Sequence, residues 1–217
     1  MHWSGRLIEL GVLYGVVITL AVIPAGSATA AECPSPDPPA FAIGDEWRIE
    51  GGTYPVVTRV EAIEGEGSVV ESNADATCQE GCRYIRDRNL MATSGTDRNG
   101  KPTYVSGLQS LNFPLQVGKQ WEQRQDFRLG TGAMVPFHHR WKVEACEEVK
   151  VKAGTFRAFR ISYAQENLVS SAIVAGQRRL GGTFTFWWSP EAKAVVKSRA
   201  HTSGWGRDWE LVSYSLK

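Results

Sequence analysis

Three sets of residues in this chain could do chemistry. They are the adjacent imidazoles His138 and His139, the cysteines Cys33, Cys78, Cys82 and Cys146, and the tryptophans Trp141, Trp187, Trp188, Trp205 and Trp209. Neighbouring residues on an extended strand point to opposite faces, so the two histidines cannot easily share one metal ion. His139 is the more telling of the pair because it falls on the face of Trp141. Cys78-Gln-Glu-Gly-Cys82 could form a C-x₃-C redox or metal site. It lacks a matching second pair and a suitably spaced histidine, which leaves bridging as the simpler role. No nucleophile elbow, H-E-x-x-H, phosphate loop or dinucleotide fingerprint occurs. The expectation is a non-enzyme with no metal and no cofactor.

The tryptophans are the better lead. Trp187 and Trp188 cannot both face a core if their strand is regular. Trp205 and Trp209 flank the polar turn Gly206-Arg-Asp208. Together with Trp141 and His139 they are candidates for the rim of a hollow that takes an acyl or aromatic ligand. Packing beneath loops is the competing role. Lys193, Lys197, Arg199 and Arg207 lie nearby in sequence and could meet an anionic head group, or form a solvated face.

The compartment decides how the cysteines are read. Arg6 gives a short basic start, Gly11 to Ile23 is a mostly apolar run, and Ala28-Thr-Ala30 offers small residues for cleavage. Residues 1–30 are expected to be a signal peptide, since the apolar run is shorter than the ~20 residues of a spanning helix. An uncleaved anchor is the rival, and Glu32 before Cys33 suits lipidation poorly. An exported protein, periplasmic or secreted and without an integral span after cleavage, follows. In an oxidising compartment four cysteines favour two disulfides with three possible connectivities. Gly81 makes a local Cys78–Cys82 bridge feasible, leaving Cys33 for Cys146.

The elements that must hold these residues are strands. Residues 31–40 form a proline-rich leader, and 41–217 is expected to be a single β domain. Phe137, His139, Trp141, Val143 and Ala145 alternate with polar residues at period two. Glu64-Gly-Glu-Gly67 and Asp97-Arg-Asn-Gly100 mark hairpins, with Thr103–Ser106 as a return strand. Trp121, Gln123, Gln125 and Phe127 share a side, as do Phe159, Ile161 and Tyr163. Gln165 to Ala175 reads either as a short helix or as a long strand with a loop. The fold class is all-β: an antiparallel meander forming a strongly curved sheet, half-barrel or barrel. Phe41-x-Ile-Gly-x-x-Trp47 is echoed by Phe113-Pro-Leu-Gln-Val-Gly-Lys-Gln-Trp121, and Arg59-Val-Glu-Ala62 by Lys142-Val-Glu-Ala145. Two similar halves, 41–110 and 111–217, would account for both, with chance recurrence as the alternative. With 24 Lys+Arg against 23 Asp+Glu, a net charge of +1 argues against nucleic acid as a partner.

Pro114-Leu-x-Val-Gly-x-x-Trp121, Val151-x-Ala-Gly-Thr-Phe156, Trp187-Trp-x-Pro190, Val195-Val-Lys197 and Glu210-Leu-Val-Ser-Tyr214 follow one another in order. This combination resembles an uncharacterised family of exported bacterial β-proteins, similar to curved-sheet envelope proteins of the periplasmic lipoprotein-carrier sort. The resemblance implies no activity and no catalytic residue. Lys152 stands where that family often has proline, and Trp188 where it often has tyrosine. The expected function is a non-catalytic module binding an apolar or lipid-like ligand. The alternative is a structural module of the envelope with a self-filled core and a protein partner.

Overall fold

A computed structural model describes residues 33, 37–51, 56–65, 67–72, 82–87, 89–90, 92–97, 110–128, 134–168, 181–202 and 208–217. The described residues form eleven antiparallel strands: β1 (Glu46–Gly51), β2 (Val56–Glu64), β3 (Gly67–Ser72), β4 (Cys82–Arg86), β5 (Ala92–Asp97), β6 (Gln120–Arg128), β7 (Met134–Val151), β8 (Gly154–Asn167), β9 (Gly182–Ser189), β10 (Ala194–Ala200) and β11 (Trp209–Ser215). They make one sheet in the order β5-β4-β3-β2-β1-β11-β10-β9-β8-β7-β6. Each half is a meander, but the halves join through β1 and β11, the first strand and the last. The sheet is all-β and open, with β5 and β6 at its edges. The expected return strand Thr103–Ser106, the turn at 98–100 and residues 169–180 lie outside the described residues. Gln165–Asn167 continues β8.

The halves open with the same turn. Gly44 and Gly118 have φ of 92° and 90°, a region that favours glycine. Gly44 N donates to Val60 O and Val60 N to Asp45 O; Gly118 N donates to Val143 O and Val143 N to Lys119 O. Both second strands then slip register by one residue, between Val60 and Ala62 and between Val143 and Ala145. Such bulges turn the following side chains over. This corrects the simple alternation expected for β7: Ala145 leaves the face of Val143 and pairs with Arg160 on the opposite one.

Curvature is visible in one hydrogen bond. In a flat sheet β8 and β11 would stand about 14 Å apart, three strand spacings. Ala153 N in the β7–β8 turn nevertheless donates to Leu211 O of β11 at 3.0 Å. The hairpin tip therefore folds across, and Val149, Val151 and Phe156 share a core with Trp47, Val60 and Leu211. Cys33 is disulfide-bonded to Cys146, with Cα atoms 5.7 Å apart, tying the leader to β7. Cys82 is also disulfide-bonded; Cys78 lies outside the described residues.

The β1–β11 junction is held by Asp45, which is fully buried. Its carboxylate accepts from Lys217 N at 2.8 Å and Ala42 N at 2.9 Å, and Lys193 Nζ stands 3.3 Å away. Buried carboxylates persist only with such partners. Asp45→Ala is expected to cost roughly 3 kcal/mol, because it leaves buried donors and a half-covered ammonium unmatched. Lys193→Met should cost less than Asp45→Ala, because two backbone N–H groups still serve the carboxylate. Urea denaturation midpoints check both, and equal losses would sink the assignment.

Gly51 adds a second constraint on the same junction. Its φ is 111°, and a Cβ there would collide with Asp208 O and the Trp209 backbone. At Gly118 a Cβ would meet nothing within 4 Å. Gly118→Ala should cost about 1–2 kcal/mol from backbone strain alone, and Gly51→Ala distinctly more, as read from paired melting curves.

Candidate functional site

The second half builds an aromatic row across four strands. In register, Trp121 of β6 faces Trp141 of β7, Trp141 faces Tyr163 of β8, and Tyr163 faces Phe184 of β9. Trp121 and Trp141 stack with centroids 5.6 Å apart and planes 7° from parallel. Trp141 and Tyr163 stack at 5.1 Å, Tyr163 and Phe184 at 5.6 Å. Cross-strand neighbours on one face lie at this distance by geometry, so the stack is a product of register.

One step along the strands, Gln123, His139 and Gln165 form a polar row on the same face. His139 is buried, and its Nδ1 lies 2.8 Å from Tyr163 Oη. Tyr163 Oη donates its one hydrogen to Gln165 Oε1 at 3.1 Å, so His139 Nδ1–H donates to the phenol oxygen. Burial, reinforced by neighbouring His138, holds the His139 pKa below the usual imidazole value. Burial also pushes the Tyr163 phenol up. Both groups are thus kept neutral.

On the other side of the aromatic row the face becomes apolar. Val143, Ile161 and Phe186 lead to Phe159 and Trp188, with Leu111 and Leu115 from the segment before β6 packed over them. Trp188 is 1% exposed and meets the edge of Phe113 at 5.1 Å. Its buried Nε1 has no hydrogen-bond partner among the described residues, an uncommon condition that marks a place where an acceptor would be satisfied.

The expected site residues therefore separate. Trp141, Trp188 and His139 come together in the buried inner face. Trp187 points to the opposite face, where its Nε1 donates to Glu147 Oε1 at 2.7 Å and Lys197 Nζ lies 5.7 Å from the ring centre. Trp209 is half-buried in β11, opposite Gly51 and Ser198; Trp205 lies outside the described residues. The basic residues do not converge on Trp188: Lys193 is engaged by Asp45, while Lys197 and Arg199 pair with Trp187 and Thr185 on the outer face. Sequence reading missed Trp121, Tyr163 and Phe184 as partners of Trp141. Trp121 and Tyr163 were each legible as one side of a strand; the shared row required the register.

No protein-family model matches the chain, and no curated protein matches it. Three solved structures are similar in fold at 11% identity, each over 82% of this chain. One is the hypothetical lipoprotein YmcC from Escherichia coli (K12), with TM-score 0.45 over 88% of that chain. A candidate lipoprotein from Parabacteroides distasonis follows with 0.42 over 98%. A candidate exported protein with YmcC-like fold from Bacteroides fragilis has 0.40 over 99%.

The buried imidazole gives stability an acid limb. Because the folded-state pKa is depressed, below about pH 6.5 the unfolded chain takes up a proton that the folded chain does not, and stability falls with pH. His139→Gln, which can still bond Tyr163, should flatten the loss between about pH 6.5 and 5. Denaturation midpoints across that range check this; an unchanged slope would count against it.

Proposed function

We propose that this is an exported, non-catalytic envelope module that binds an apolar or amphipathic, lipid-like ligand along the inner face of its second half. One observation carries the reading. The aromatic row Trp121–Trp141–Tyr163–Phe184 occupies the register that Trp47–Thr58–Ser72–Cys82 occupies in the first half. The same scaffold is thus built in one half with only its leading tryptophan, so packing alone does not call for the other three rings. Large rings with an unpaired indole donor beyond them suit an apolar ligand that carries an acceptor.

Export is supported by the residues 1–30 pattern and by the Cys33–Cys146 disulfide, a bond that persists in oxidising compartments. A non-catalytic role is favoured because the inner-face histidine is bonded to a phenol, itself bonded to an amide, rather than standing between a nucleophile and a carboxylate. The second reading, a self-filled interaction module, is favoured by the burial of Leu111 and Leu115 against the row.

N-phenyl-1-naphthylamine, an apolar fluorophore, separates the two. The binding reading expects saturable enhancement on the exported protein, weakened several-fold by Trp141→Leu and competed by long-chain acyl compounds. A wild-type protein that neither enhances the probe nor retains bound mass in native mass spectrometry would leave the self-filled module standing.

A further inference from the structure

We infer that the inner face of the second half selects a ligand whose polar head carries no charge, such as a hydroxyl, ester or amide group joined to an apolar body. This rests on the binding reading above and narrows its ligand class.

The argument starts from how charge is sorted across one sheet. On β6, β7 and β8 the outer positions include Glu122, Arg124, Asp126, Arg140, Lys142 and Glu166. Many of them are paired across strands, as Arg140 with Glu166 at 3.3 Å. The inner positions of the same strands, followed in register from Val143 and Ile161 outward, contain no Asp, Glu, Lys or Arg among the described residues. They are not uniformly apolar either. Gln123, Gln125, Gln165 and Asn167 place four carboxamides on this face, each half-buried and so within reach of solvent.

The first half shows that the scaffold does not require this. Ile49 and Val56 stand at the register of Gln123 and His139. An aliphatic pair in one half is therefore replaced by an amide and an imidazole in the other. The polar groups lie at one end of the face, the rings in the middle, and Trp188 with its unpartnered Nε1 in the apolar part beyond. Exposed Met134 and Leu168 border the polar end.

Carboxamides both donate and accept, and so match hydroxyl, ester and amide groups without supplying net charge. A phosphate or carboxylate brought to this face would lose hydration and find no cation among the described residues. The neutral states of His139 and Tyr163, held by burial, fit the same picture. The lysines that sequence reading placed near an anionic head are elsewhere: Lys193 on Asp45, Lys197 on the outer face.

The test compares two single-chain amphiphiles that share an oleoyl chain, titrated below their micelle concentrations into the exported, disulfide-intact protein. One is the uncharged 1-monooleoylglycerol, the other anionic oleoyl lysophosphatidylglycerol, with binding read by native mass spectrometry and tryptophan fluorescence. The expected result is a preference for the glyceride of roughly tenfold or more. Gln165→Lys should reverse or abolish that preference, and Gln125→Lys provides the same test at a second half-buried position. Equal affinity for the two amphiphiles, or stronger binding of the anionic one, overturns the uncharged-head inference while the binding reading stands. Binding of neither overturns both. A neutral oligosaccharide bound as tightly as the glyceride would overturn the requirement for an apolar body.

Discussion

Asp45 is the point on which the two halves of the molecule depend. Its carboxylate joins the turn that starts β1, the backbone amide that follows β11 and the lysine of the β9–β10 turn. Three segments distant in sequence meet on two oxygen atoms out of contact with water. Trp47 reinforces the junction, since its Nε1 donates to Ala192 O at 2.6 Å. Together with the β1–β11 ladder, this knot unites two meanders that would each otherwise present another open edge. The overhanging β7–β8 tip relies on it too, because Leu211, which accepts from Ala153, is held in place by β1.

The two halves share their turns, their bulges and their leading tryptophans, yet their inner surfaces differ. The lead turn of the first half holds a buried acid; that of the second has Lys119, whose Nζ donates to Pro114 O at 2.9 Å and Asn112 Oδ1 at 3.2 Å. The first half uses its turn to close the sheet. The second uses the same turn to hold the segment carrying Leu111 and Leu115 against the aromatic row. A common scaffold thus serves closure on one side and a specialised face on the other. That division is why the second half can carry amides and an imidazole inward without loss of the fold.

Much of this was legible in the residues, and the exceptions have physical causes. Alternation along β7 and β8 showed the strands, and the split between Trp187 and Trp188 followed from period two alone. The paired Gly-x-x-Trp turns were visible because glycine at positive φ leaves a mark in sequence. The bulge at Glu144 was not, since an extra residue breaks the pattern without altering composition. The strand order was hidden as well: nothing local in Trp47 or Tyr214 tells that they pair across 166 intervening positions. The same limit kept the aromatic row unseen. Its members were placed on the correct sides of their own strands, but the partnership of Trp141 with Trp121 and Tyr163 is a fact of register.

The pairing of the earliest strand with the latest has a consequence for biogenesis. Synthesis from the amino terminus presents β1 long before β11, so the central ladder cannot assemble until the strands between them have been made. Contacts so remote along the chain form slowly. Neighbouring strands within each meander can pair as they appear, whereas the union of the two meanders waits for β11.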